Sequence, residues 1–381
     1  MIKYINSERY IINGGNMGLT AGIIGLPNVG KSTLFNAITK SNALSANYPF
    51  ATIEPNVGFV EIKDERLLKI VEIVKPRNVV FTSFSFTDIA GLVKGASHGE
   101  GLGNQFLSNI RNVDAICQVV RCFSDSEVVH VNGKIDPMDD IETINLELTF
   151  ADLEVIEARI PKIEKKALLK VDADSEVEYN ALKKAKEALE QGISLRNINF
   201  NENEMNLLKG YNFLTIKPMI YVLNVDESDI NNESSSVKKV KEFAANSNTK
   251  AVVISAKIEE EICELDDEDR QMFLEDAGIT ESGLDKLVRE TYDLLGLATY
   301  FTAGEKEARA WTFKKGMKAP ECAGIIHSDF ERGFIRAEVI SYEDFIKYGG
   351  LQKAKEAGKM RSEGKDYLFK DGDIVLFRFN V

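Results

Sequence analysis

The chain has 381 residues, 44% hydrophobic and 28% charged, a globular composition with room for two or three domains. No apolar run approaches the roughly 20 residues of a membrane helix, and the N-terminus lacks the basic and apolar regions of a signal peptide. A net charge of −13 argues against broad non-specific binding to nucleic acid, and no DNA partner is expected.

Cys117, Cys122, Cys263 and Cys322 are scattered, as are His98, His130 and His327. No zinc spacing arises, and free thiols in a reducing cytoplasm are the expectation. The charge is uneven. From Ala298 to Val381 there are 15 Lys/Arg against 13 Asp/Glu, an excess of +2 that leaves −15 for the remainder. Any RNA contact is therefore expected on local patches.

Residues Met1 to Asn16 fit poorly with the segment from Met17 onward, because Asn13-Gly-Gly-Asn16 is a flexible break. An N-terminal extension over 1–16 with a natural start at Met17 is expected; a packed arm is the alternative. Thr20-Ala-Gly-Ile-Ile24 predicts a buried strand. Gly25-Leu-Pro-Asn28-Val29-Gly30-Lys31-Ser32, followed by Thr33, matches the pattern G-x-x-x-x-G-K-[ST], and Ser32 to Thr39 predicts a helix. Strand, glycine loop and helix form the context in which backbone N–H groups and a helix N-terminus hold phosphate. Lys31 can then reach β- and γ-phosphates, and the Ser32 hydroxyl can ligand Mg²⁺.

Thr52 lies in a proline-punctuated loop, Tyr48 to Asn56, ahead of a strand at Gly58–Ile62. It is a candidate to sense Mg²⁺ and the γ-phosphate. Phe81 to Thr87 alternates aromatic and hydroxyl side chains, predicting a strand that ends in Asp88-Ile-Ala-Gly91. A carboxylate there suits Mg²⁺, and the Gly91 amide can approach a γ-phosphate unobstructed. Leu92 stands where many GTPases have the glutamine that orients water. A glycine-dense loop to Asn104 comes next and carries His98.

Ala115–Val120 is the next strand. From Asp139 to about Gln191, Ile141, Ile144, Leu148, Leu153, Ile156, Ile160 and Ile163 recur at three- and four-residue spacing, as do Leu182, Ala185 and Leu189. Two antiparallel helices in a hairpin or short coiled coil are expected. Pro218–Leu223 and Lys250–Ile254 are buried-strand candidates. They end in Asn224-Val225-Asp226-Glu227 and Ser255-Ala256-Lys257, the places of GTPase base-recognition loops. Glu259 to Glu275 is expected to be an exposed acidic helix. From about Ala298, Trp311–Phe313, Gly333–Ile340 and Asp373–Phe379 predict a small β-rich domain.

P-loop, T-I-E-P-N, D-I-A-G-L-V-K-G-A, N-V-D-E and S-A-K thus occur in GTPase order. Ala323 to Glu338 resembles a TGS domain, and Met17 to Val381 as a whole resembles the YchF family of Obg-related P-loop NTPases. The resemblance implies an α/β fold: a Ras-like domain over 17–297, a coiled-coil insertion at about 139–210, and a C-terminal TGS domain over 298–381. It also implies association with ribosomes or RNA through the TGS domain and insertion. It assigns Lys31 to phosphate, Ser32, Thr52 and Asp88 to the Mg²⁺ or switch shell, and Gly91 to the γ-phosphate. Leu92 resembles the family's hydrophobic replacement of glutamine, and His98 the histidine proposed to act instead.

Asn28 resembles an asparagine that coordinates K⁺ in related GTPases. Asn224, Val225, Glu227, Ser255, Ala256 and Lys257 fall on the base-binding loops. Glu227, one methylene longer than the usual aspartate, and Val225 in place of lysine depart from N-K-x-D. ATP bound at least as well as GTP is the corresponding expectation. An ATP-driven switch and a nucleotide-holding scaffold with negligible turnover both remain open.

Overall fold

The computed structural model describes residues 19–44, 56–90, 102–124 and 135–380. Residues 1–16, Thr52, Gly91, Leu92 and His98 lie outside the described residues. The first elements are β1 (Thr20–Gly25), α1 (Lys31–Leu44), β2 (Val57–Ile62), α2 (Glu65–Val74), β3 (Asn78–Val80) and β4 (Thr82–Asp88). Next come α3 (Leu102–Arg111), β5 (Ala115–Arg121), α4 (Pro137–Leu168), α5 (Ala173–Glu190) and α6 (Glu202–Leu208). After them come β6 (Met219–Asn224), α7 (Ser235–Asn246), β7 (Lys250–Ile254), α8 (Ala256–Ile262), α9 (Asp267–Asp276) and α10 (Gly283–Leu294). The C-terminal run is β8 (Leu297–Ala303), β9 (Glu307–Lys314), α11 (Ala319–Ile326), α12 (Ser328–Arg332) and β10 (Phe334–Ile340). It ends in α13 (Tyr342–Tyr348), α14 (Leu351–Glu356), β11 (Arg361–Glu363) and β12 (Ile374–Phe379).

These elements form two compact units. One holds Thr20–Phe59 and Ser85–Thr291; the other gathers Val60–Phe84 and Tyr292–Val381.

In the first unit the sheet order is β2-β4-β1-β5-β6-β7, and β4, β1, β5, β6 and β7 run parallel. Parallel strands are covered on both faces, which is why Met219–Leu223 of β6 is a continuous apolar run, while β5 buries Gln118 and Arg121 among its apolar residues. All residues of both strands are buried. The strand order reverses at β1, so the loop after β1 opens at a topological switch point, where α/β sheets bind ligands.

The expected helical hairpin is present. Asp136 caps α4 by accepting from Met138 N–H at 3.2 Å, with Pro137 at the first helical position. Asp172 caps α5 at Ser175 N–H, 2.6 Å. Ile156 and Ile163 pack on Leu182, Ala185 and Leu189, and Leu195, Leu208 and Phe213 close this core. Of the repeating isoleucines, Ile156, Ile160 and Ile163 therefore pack in the core shared with the partner helix.

One expectation fails. Glu259 to Glu275 is two helices, α8 and α9, broken around Leu265, and Glu259 is buried. Asp266 makes the break by capping α9, accepting from Glu268 and Asp269 N–H at 3.1 and 2.9 Å. Acidic density in the sequence concealed one cap and one buried carboxylate.

The second unit is built on the sheet β11-β10-β12-β8-β9-β3. Alternate residues feed two cores, following the two-residue period of a strand. Tyr300, Phe313, Val339 and Phe377 join Ala319, Cys322 and Ala323 of α11 on one face. Phe301, Ala310, Ile340 and Ile374 join Leu67 and Ile70 of α2, Phe345 of α13 and Ala354 of α14 on the other. The strands expected around Trp311, Phe334 and Phe377 are present. Four helices accompany them, and α2 and β3, far earlier in the chain, belong to the same unit.

Candidate functional site

The P-loop backbone is set by two residues with left-handed torsions, Asn28 (φ 64°) and Gly30 (φ 89°). Asparagine tolerates that region, and glycine enters it at no steric cost. Gly30 is needed for space as well, since a Cβ there would lie 2.1 Å from Asn224 Nδ2. Val29 is buried, Ser32 is exposed in the first turn of α1, and Lys31 and Thr33 are half-buried. The first helical turn thus presents its N–H groups and the Ser32 hydroxyl on the open side of the loop.

Asp88 ends β4, and strand register sets it opposite Ile23 of β1. Its N–H donates to Asn56 C=O at 2.8 Å. The Lys31 ammonium and the Asp88 carboxylate form an ion pair across a separation of 57 residues. The structure therefore brings together the two motif residues that the sequence put on a helix start and a strand end.

Asn224 joins three loops through one amide. Its Nδ2 donates to Val29 C=O at 3.0 Å, and its Oδ1 accepts from Ala256 N–H at 2.9 Å. Both bonds are buried, where an unmade partner is expensive. Val225 is also buried, and its N–H donates to Ile254 C=O at 2.8 Å. Its side chain lies among the buried apolar residues. Ser255 and Ala256 are buried too, with Ala256 N–H already committed to Asn224.

Glu227 and Lys257 face solvent and pair with each other at 2.7 Å. That hydrogen bond holds the Lys257 ammonium above its ordinary pKa. The sequence placed both residues at a base site without showing that they meet.

Two further residues, not among the binding candidates, hold these loops in place. Asp226 accepts from Ser124 N–H at 3.0 Å, tying the N-V-D-E turn to the end of β5. Glu259, just beyond S-A-K, accepts from Gly283 N–H at 2.7 Å and so holds the start of α10. Burial pushes its carboxyl up to about 7, against the opposing pull of the Gly283 and Leu284 N–H bonds.

No group of three or more His, Cys, Asp or Glu that could hold a metal occurs among the described residues. The donor chemistry nevertheless fits Mg²⁺, which takes hard oxygens and retains several waters. The exposed Ser32 hydroxyl and the Asp88 carboxylate are such oxygens.

A family model described as a 50S ribosome-binding GTPase matches residues 20–158. A YchF-GTPase C-terminal model, described as a protein of unknown function, matches residues 297–380. The Bacillus subtilis protein named ribosome-binding ATPase YchF is 61% identical over 367 residues, covering 96% of this chain and 100% of the relative. The Haemophilus influenzae protein of the same name is 53% identical, with coverages of 96% and 100%. The solved structure of the Schizosaccharomyces pombe YchF GTPase superposes with a TM-score of 0.87 at 37% identity, covering 96% of this chain and 100% of that one. Identity and coverage at this level, on top of a P-loop and its strand-end aspartate in one crevice, establish that the chain belongs to the YchF family of P-loop NTPases.

Proposed function

We propose that this chain is a Mg²⁺-dependent nucleoside triphosphatase that takes ATP at least as well as GTP, its nucleotide state governing association with ribosomes. The observation that carries the reading is the Lys31–Asp88 pair at the mouth of the P-loop. A triphosphate arriving on the loop N–H groups offers Lys31 more negative charge than one carboxylate does. The ammonium moves to the β- and γ-phosphate oxygens, and Asp88 is released toward the metal shell with Ser32. Mg²⁺, when bound, neutralises charge on the transferring phosphoryl group. Thr52, Gly91 and His98 complete the switch shell in this reading, and Asn28 would coordinate K⁺.

Base choice follows from Glu227. Guanine reading needs a carboxylate set for two hydrogen bonds, and here the longer side chain is drawn instead to Lys257. Ribosome association rests on the relatives named for it, with the helical hairpin and the C-terminal unit as its surfaces. The test is single-turnover ATP hydrolysis with and without Mg²⁺ for the native protein and His98→Ala. Mg²⁺-dependent turnover that falls roughly 10- to 1,000-fold in the variant supports the reading. Absence of turnover in the native protein, alone and with ribosomes, favours the scaffold that Leu92 suggests.

A further inference from the structure

A cavity of about 700 Å³, a size usual for small-molecule sites, opens within the first unit away from the P-loop. Asn145 of α4 and Tyr221 of β6 line it, together with residues from the 192–199 segment after α5 and from the end of α7 to Thr249. Thr249 directly precedes β7, and Arg196 Nε donates to the C=O of Lys217, which leads into β6. The cavity therefore sits at the N-terminal ends of these two strands. The nucleotide site uses the opposite end of β6, where Asn224 reaches Val29.

Its lining is unusual for this chain. The protein carries 60 acidic residues against 47 basic ones, yet the fifteen lining residues include one cation, Arg196, and no acid. That cation lacks a counter-ion. Nε is spent on Lys217 C=O at 2.9 Å, Nη1 meets Met219 Sδ at 3.7 Å, and the buried Nη2 makes no hydrogen bond among the described residues. Asp152 acts on the guanidinium only through space. Its two oxygens are committed to Leu214 N–H and to the N–H and hydroxyl of Thr215. Burial holds the Arg196 guanidinium below its ordinary pKa, against the opposing pull of Tyr221 and Asp152. A cation withdrawn from water without a hydrogen-bonded partner is costly, and an anion supplies what is missing.

The rest of the lining is neutral and hydrogen-bonding. Asn145, Asn197, Asn199, Asn246 and Asn248 contribute five amides, and two serines and two threonines contribute hydroxyls. Such groups both donate and accept, which suits a ligand body made of hydroxyl groups. Tyr221 and Phe243 give the cavity its apolar surface, with ring centroids 6.1 Å apart. The one side-chain bond between lining residues of α4 and β6, Asn145 Nδ2 to Tyr221 Oη, is long at 3.4 Å and little is lost by opening it.

We infer that this cavity binds a small hydroxyl-bearing metabolite with one oxyanion group, a phosphate ester or a carboxylate. The acid group meets Arg196, and the body lies against Phe243 and the asparagine amides. The oxyanion gains a charge-assisted hydrogen bond in a partly buried setting, where such a bond is strongest.

The experiment is calorimetric titration of the full chain with glucose 6-phosphate, gluconate and uncharged glucose, which share a polyol body and differ in the acid group. The variants are Arg196→Gln, Asn197→Asp and Lys31→Ala. Asn197 is exposed, so Asn197→Asp sets a repelling carboxylate on the rim without disturbing the core, and it decides the matter should Arg196→Gln lower the unfolding midpoint. Lys31→Ala disables the P-loop as a competing phosphate site. The expected result is that at least one anion binds roughly tenfold or more tightly than glucose, the worth of one hydrogen bond to a charged group. The tighter of the two identifies the acid group. Arg196→Gln should remove that advantage, Asn197→Asp should weaken the anion several-fold, and Lys31→Ala should leave it unchanged. Anions bound no more tightly than glucose, or not at all, overturn the inference. Native-like anion affinity in Asn197→Asp also overturns it, and loss in Lys31→Ala places the ligand on the P-loop instead.

Discussion

The two ends of the nucleotide site are built differently. On the phosphate side almost everything is fixed by backbone: β1 is buried, Gly30 is confined by Asn224, and Lys31 and Asp88 meet at a strand end. On the base side the groups that would read a purine, Glu227 and Lys257, are a solvent-exposed ion pair. In the proposed reading, phosphate binding is therefore tied to the fold, and base choice rests on a contact that costs little to remake. Exposed ion pairs contribute little to stability, because solvent screens them and two long side chains must be ordered. The same backbone can keep its triphosphate site while its purine preference drifts.

The contrast can be broken first at Lys31. Lys31→Ala should remove about 2–5 kcal/mol of triphosphate binding free energy, as expected for truncating one partner of a close charge pair. Calorimetric titration with ATP checks it, and the loss should be the same for GTP. A loss confined to one nucleotide would contradict a phosphate-side role.

Glu259 sharpens the other end, because it holds α10 directly behind the S-A-K loop. Its carboxyl is raised by burial to about 7 from an unfolded value of 4.5, so the folded state retains the proton longer. The stability this contributes is fully present below pH 4.5 and is lost as pH rises through about 7. Its size is on the order of 3 kcal/mol, from the free-energy equivalent of the shift. Glu259→Gln keeps the amide oxygen as acceptor for Gly283 N–H and should flatten chemical-denaturation stability across that window. A native protein equally stable at pH 5 and pH 8 would remove the assignment.

Gly30→Ala comes next. A side chain at φ 89° that also meets Asn224 Nδ2 should cost about 1–3 kcal/mol, read as a lower unfolding midpoint together with weaker binding of both nucleotides. The smallest effect belongs to Lys257→Ala. Freeing Glu227 should shift the ATP-to-GTP affinity ratio only a few-fold and leave the unfolding midpoint unchanged, because both partners are exposed.

The phosphate side was legible in sequence because its constraints are local. A strand, a glycine at positive φ and a helix start leave a pattern within a dozen residues, and the D-x-x-G aspartate ends its own strand. The hairpin was legible for the same reason, through isoleucines at helical spacing. What escaped is long-range or compositional. Strand β3 has three residues and pairs Asn78 with Glu307, so nothing nearby announces that Val60–Phe84 belongs with the C-terminal unit. Glu259 looked like one more solvated acid in an acidic stretch, and only tertiary packing reveals its burial. Val225 stands in place of the usual lysine, and its burial directly after β6 is likewise visible only in the packing.

In the proposed function a backbone-fixed phosphate site is joined to a base site that does not select guanine. Parallel calorimetric titration of the native protein with ATP and GTP, both with Mg²⁺, tests it most directly. The account predicts that ATP binds at least as tightly as GTP, and that Glu227→Asp improves GTP relative to ATP. GTP bound tenfold or more tightly than ATP by the native protein would contradict it.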